Sequence, residues 1–225
     1  MAKRRAGEEA ARYLEDGMTI GLGTGSTTAY ALAAIGKKIR EDGLQIRGIP
    51  TSSSAEIIAR NHGIPICTFD DVSEKLDIAF DGADEVSPKL DLIKGRGAAH
   101  TREKLIASQS KRFLVLVDPS KLVSQLGKKA SVPIEILPVA APVILRTLCA
   151  MEVHASLRIG VQKDGPVVTD QGFWIVDAAF PSISNPGQLS RTLLEMPGVL
   201  EHGLFVNLVT DVIVGTESGV DIIRR

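Results

Sequence analysis

The chain is poor in the residues that would commit it to several large classes of protein. It has only two cysteines in 225 residues, Cys67 and Cys149, each among apolar neighbours and without metal or redox spacing. That excludes a disulfide scaffold and predicts two buried free thiols in a reducing cytosol. Four histidines occur with no paired spacing, so no metal site is predicted. An excess of one charge is missing too: the formal net charge is −1 and the basic residues are dispersed, which argues against a dedicated nucleic-acid surface. No apolar stretch is long enough to span a bilayer. The N-terminal Lys3-Arg4-Arg5-Ala6-Gly7-Glu8-Glu9 leads into an amphipathic helix, not a signal-peptide hydrophobic region. Aromatics are scarce at 4%, and Tyr13, Tyr30 and Trp174 read as packing residues. What remains is 44% hydrophobic, enough for a sizeable core in one large or two modest domains, with no internal repeat. The expected location is the cytoplasm.

Strand and helix patterns alternate through the first half. They predict a helix over residues 7–16, a strand over 18–22, a helix from about Thr27, a strand over 45–50 and a helix over 52–61. Strands at 64–68, 76–80 and 112–117 and a helix at 101–108 complete this part. Short apolar strands alternating with helices indicate a mostly parallel sheet, in which ligands bind beyond the carboxyl ends of the strands. The pattern changes near Ser131. Strands in SVPIEILPV and MEVHASLRIG flank a helix over 141–148; a hairpin in VVTDQGFWIV and a helix over 188–196 follow. The expected fold class is α/β. A Rossmann-like domain over 1–130, completed by 206–225 through strands at 203–208 and 211–214, would accompany a small α+β domain over 131–205.

Chemistry concentrates in DGADEVSPKLDLIKGRGAAHTREK, residues 81–104. One connection after an apolar strand carries Asp81, Asp84, Lys94, the turn Gly95-Arg96-Gly97 and Glu103. Acids, a cation and bare backbone amides are what proton transfer on a small polar substrate requires. Turn chemistry alone would account for one acid, not for Asp81, Asp84 and Glu85 together; Glu85 is assigned to solvent. Glu103 follows Thr101, the expected N-cap of its helix, where the dipole keeps a carboxylate ionised as a general base requires. A second cluster, Gly21-Leu22-Gly23-Thr24-Gly25-Ser26-Thr27-Thr28, joins a strand to a helix and forms an anion cradle of amides and hydroxyls. It is neither a dinucleotide fingerprint, since Ser26 replaces the third glycine, nor a P-loop, since no Lys-Ser or Lys-Thr closes it. Lys121 follows the strand RFLVLV and reaches the same sheet edge; His100 and His154 are not needed by this chemistry.

GLGTGSTT, the TSSSAE loop, DGADEV, KGRGAAHTREK, DPSKLVSQLG and PGVLEHGLF together resemble type A ribose-5-phosphate isomerase, in order and spacing and nearly end to end. The resemblance implies reversible interconversion of D-ribose 5-phosphate and D-ribulose 5-phosphate, without metal or organic cofactor, in a homodimer or homotetramer. It places the phosphate and substrate loop at Thr24, Gly25, Ser26 and Thr27, and the acidic substrate loop at Asp81, Gly82, Ala83 and Asp84. Lys94, Gly95, Arg96 and Gly97 cradle the reacting end, Glu103 is the base and Lys121 a substrate lysine, with Lys3 a weaker match near the phosphate. Arg96 departs from the glycine common at that position, which puts a positive φ in question there. Two other readings stay open: a sugar-phosphate deaminase or lactonase, and a sugar-phosphate-sensing domain of related fold.

Overall fold

Residues 1–225 are described by a computed structural model. The chain forms two compact units: residues 1–83, 102–121 and 208–225 make the first, and residues 84–101 and 122–207 the second. The expected second domain over 131–205 is thus joined by 84–101 and 122–130, and the chain passes between the units four times.

In the first unit the apolar runs become β1 (Thr19–Leu22), β2 (Arg47–Pro50), β3 (Leu76–Asp81) and, later, β6 (Ser110–Val117). Together with β12 (Asp211–Gly215) and β13 (Val220–Arg224) they form one sheet in the order β13-β12-β6-β3-β1-β2. Pairing is parallel from β12 to β2, and only the edge strand β13 runs antiparallel. Strands covered on both faces need apolar residues at successive positions. Phe113-Leu114-Val115-Leu116-Val117 supplies such a run, all of it buried. The expected strand at 64–68 contributes only a single bridge, Ile66 to Gly48. Pro65 accounts for this, because it has no N–H with which to continue a ladder.

Helix α1 (Ala2–Ala10) begins five residues before the expected start. It packs on α2 (Ser26–Asp42) through Ala6, Ala10, Ala31 and Ile35. Gly7 is required at this crossing: a Cβ there would lie 2.7 Å from Ala31 N. Helix α2 ends at Gly43, whose φ of +72° gives the left-handed cap that glycine accepts without strain. The unit is completed by α3 (Ser53–Asn61), capped by Ser52, and by α4 (His100–Ser108), most of which belongs to it.

The second unit contains two antiparallel sheets. β7 (Val132–Ile136), β8 (His154–Leu157), β9 (Trp174–Ala179) and β10 (Val199–His202) pair in the order β10-β7-β9-β8. Their core includes Ile134, Ile136, Val176 and Ala178, with Ile144 and Leu148 from α5 (Ala141–Ala150) and Leu193 near the end of α6 (Pro186–Leu194). The expected hairpin at 167–176 is reduced to one bridge, Val168 to Trp174, around a turn at Gly172. A three-stranded sheet built from β4 (Glu85–Val86), β5 (Leu92–Ile93) and β11 (Leu204–Phe205) had no counterpart in the sequence pattern. Two-residue strands are too short to show a period. β10 and β11 replace the expected strand at 203–208 and stay in the second unit.

Candidate active site

The anion cradle is built from the end of β1 outward. Gly23 lies so close to β3 that a Cβ would sit 2.1 Å from Phe80 O and 2.7 Å from Asp81 Cγ. Only glycine lets the loop rest there. Thr24 then donates its N–H to Asp81 Oδ1 at 3.2 Å, and its hydroxyl lies 2.8 Å from Thr51 Oγ1 and 2.6 Å from Ser52 Oγ. Gly25, at φ +118°, opens α2 and brings no side chain to cap it. The first helical amides and the positive end of the dipole therefore favour an external anion. Ser26 is exposed at this point and Thr27 is buried, whereas Thr28 uses its hydroxyl on Gly25 O at 2.8 Å.

Cations gather on the same unit. Lys3 donates its ammonium to Ser26 Oγ at 3.0 Å, so α1 brings to the cradle a residue that the sequence placed there only weakly. Partial burial pushes the Asp118 carboxyl up, but hydrogen bonds from Ser120 and the charges of Lys121 and Lys3 outweigh it and hold the group below the usual carboxylate range. Lys3, Ser26 and Lys121 thus belong to one electrostatic neighbourhood.

Asp81 closes β3 and is 1% exposed; its Oδ1 also accepts the Gly82 N–H at 2.7 Å. Glu103 is buried in the first turn of α4. That helix begins at His100, so Thr101 lies inside it and is not the expected N-cap; its hydroxyl donates to Glu135, a wholly buried acid of β7. His100 is itself fully buried.

On the second unit, Asp84 is half-buried and accepts the Arg96 N–H on Oδ2 at 3.1 Å. Lys94 is 3% exposed, with its ammonium 5.4 Å from the centroid of the Phe205 ring, a cation–π arrangement. A turn follows, closed by Ala98 N–H on Gly95 O at 3.0 Å. Gly95 takes φ +103° and Ala98 φ +56°, while Arg96 avoids positive φ altogether. The departure from glycine at position 96 is therefore harmless to the backbone. Gly95 is the position that must be glycine, because a Cβ would fall 2.7 Å from His100 Nδ1.

Besides the Thr101 cap, three expectations fail. Glu85 does not face solvent: it is 0% exposed and accepts the amides of Gly127 at 2.7 Å, Ala130 at 2.8 Å and Lys129. A carboxylate, with two oxygens and about four acceptor sites, can collect all three N–H donors from an irregular segment. Cys149 is exposed, since α5 turns it away from the core; Cys67 is buried, and that burial raises its thiol pKa. Tyr30 is 45% exposed and so packs less than expected. Glu135, Arg158 and Asp177 carry no local motif and are recognisable only from their contacts in the fold.

A glycine-built anion cradle and buried acids at the carboxyl end of a parallel sheet define the class, an α/β enzyme for a small phosphorylated substrate. Residues 47–219 match the family model of ribose 5-phosphate isomerase A (phosphoriboisomerase A). The ribose-5-phosphate isomerase A of Thermosynechococcus vestitus is 50% identical over 95% of this chain and 90% of its own. That of Pyrococcus horikoshii is 48% identical over 99% and 97%. A D-ribose-5-phosphate isomerase solved in complex with phospho-erythronic acid superposes with a TM-score of 0.97 at 48% identity, covering 100% of this chain and 98% of that one. The Plasmodium falciparum ribose 5-phosphate isomerase gives 0.92 at 34% identity, covering 100% and 98%. The chain belongs to the ribose 5-phosphate isomerase A family.

Proposed function

We propose that the chain interconverts D-ribose 5-phosphate and D-ribulose 5-phosphate by moving one proton between C1 and C2 through an enediolate. The observation that carries the residue assignment is Glu103, an acid buried in the first turn of a helix. There the dipole favours its ionised form, and a carboxylate shielded from bulk water is placed to take and return a proton. Glu103 removes the C2 proton of the aldose and delivers it to C1. Lys94 and the amides of Gly95 and Gly97 stabilise the oxyanion that develops, while the Arg96 N–H holds Asp84 in place. Asp81 and Asp84 orient hydroxyls and relay the proton between O1 and O2, with Gly82 and Ala83 contributing backbone contacts. Thr24, Gly25, Ser26, Thr27, Lys121 and Lys3 hold the phosphate, whose binding energy positions the reacting carbons.

No metal or organic cofactor enters this scheme, since general-base transfer with fixed donors is sufficient chemistry. Nothing in the site favours the deaminase, lactonase or sensor readings. No helix is long and apolar enough to cross a membrane, and two free cysteines suit a reducing cytoplasm. Exposed Leu137, Val139 and Val143, around the start of α5, support self-association into a homodimer or homotetramer.

The test is isomerisation of ribose 5-phosphate in D2O. Turnover accompanied by deuterium at the transferred position supports the enediolate route. Product without any solvent deuterium under all conditions would point to hydride transfer and remove Glu103 from its role.

A further inference from the structure

Arg158 follows β8 directly and is largely buried, its side chain 17% exposed. Asp177 of β9 holds one edge of the guanidinium in a bidentate pair, through Nε at 2.8 Å and through Nη2. The remaining terminal nitrogen, Nη1, donates to Gly95 O at 3.0 Å and to Arg96 O at 2.9 Å. All four bonds lie within the second unit, so one side chain ties strand β9 to both carbonyls at the start of the turn.

We propose that Arg158 is a positioning residue for the isomerisation, fixing the Arg96 and Gly97 amides through the carbonyls of the same two peptides, with Asp177 as its anchor. This rests on the role given above to those amides. A trans peptide is planar, so its C=O and N–H point in opposite directions. Holding Gly95 O aims the Arg96 N–H, which is the donor received by Asp84, and holding Arg96 O aims the Gly97 N–H. Charge-assisted bonds to the carbonyls also polarise the two peptides and strengthen their N–H groups as donors. Preorganised donors matter most when charge develops, so the benefit falls on the transition state and not on substrate binding. Asp177 offsets the charge of Arg158, and only a guanidinium has enough donors in one plane to satisfy a carboxylate and two carbonyls together.

The experiment compares Arg158→Met and Arg158→Lys with the parent protein and with Glu103→Gln, measuring kcat and KM for ribose 5-phosphate and the urea midpoint. Arg158→Met should lose about 10- to 100-fold in kcat with KM changed by less than about threefold, somewhat less than removal of a direct oxyanion donor. Methylguanidinium added to a further variant that vacates the site, Arg158→Ala, should restore part of its lost kcat and leave the parent unaffected, an effect that loss of folded protein would not produce. If Arg158→Met does not fold, Arg158→Lys decides, because it keeps the charge but cannot span both carbonyls and Asp177. A parental kcat in Arg158→Lys would then overturn the proposal, as would a parental kcat in folded Arg158→Met. Either result beside an inactive Glu103→Gln would sink the clamp alone. Full turnover by Glu103→Gln would instead remove the assignment of the site on which the clamp depends.

Discussion

A buried carboxylate stays ionised only with favourable electrostatics around it, and Glu103 has the first turn of a helix. Glu103→Gln keeps the shape and removes the base. Its kcat should fall by roughly 10²–10⁴-fold, the usual worth of a positioned general base, with KM little changed. Deuterium incorporation from solvent should fall with it. Near-normal turnover by the folded variant would transfer the role to another acid, and Asp81 would be tested next. Glu85 gives the opposite case, a motif acid with a structural task. Glu85→Ala strips the acceptor from three backbone amides and should cost about 3 kcal/mol, as loss of a buried charged partner does. Equilibrium urea unfolding reads this directly, and an unchanged midpoint would mean that water serves those amides equally well.

Among elements, the fit of β3 to its two neighbours depends on Asp77. Its Oδ2 accepts the Thr19 N–H of β1 at 2.9 Å, and its Oδ1 pairs with Lys111 of β6 at 2.9 Å. Burial pushes the Asp77 carboxyl up, but the Lys111 and Thr19 hydrogen bonds prevail and lower its pKa below the ordinary 3.8. A folded pKa below the unfolded one gives stability that is fully present above the ordinary carboxylate range and disappears as pH falls through the folded value. Asp77→Asn should therefore cost on the order of 1 kcal/mol near neutrality, a figure already reduced for solvent screening. The difference between the two proteins should shrink steadily below about pH 4. Parallel urea titrations at several pH values check the sign. A gap that stays constant down to strongly acid pH would mean that the ion pair contributes nothing.

For the whole molecule, two expectations follow from the use of a remote phosphate and of general-base chemistry. Free ribose should be a far poorer substrate than ribose 5-phosphate, because the cradle at Ser26 and Thr27 with Lys3 and Lys121 would have nothing to hold. Comparable kcat/KM for the two sugars would dismiss that loop as the phosphate site. Exhaustive dialysis against a strong chelator should leave activity intact. Loss of activity restored only by a divalent cation would require Asp81 and Asp84 to be reassigned as metal ligands.

Local pattern determined a good deal by itself. Apolar runs and glycine turns were enough to place β1, β3, β6 and most helices, because burial on both faces of a parallel sheet leaves a continuous signature. The cradle and the segment from Asp81 to Glu103 were equally legible, since glycine spacing and clustered acids report backbone geometry and charge directly. What only the tertiary structure decided depends on residues far apart in the chain. Glu85 is buried because an irregular stretch over forty residues later turns its amides toward it. The Gly95 turn is held by Arg158, some sixty positions on, and Arg96 is tolerated because the positive φ values fall on Gly95 and Ala98. The strands β4, β5 and β11 are defined by their pairing, β4 with β5 and β5 with the distant β11. Side-chain satisfaction and strand pairing between distant segments leave no period in a one-dimensional string, so that information enters only when the chain folds.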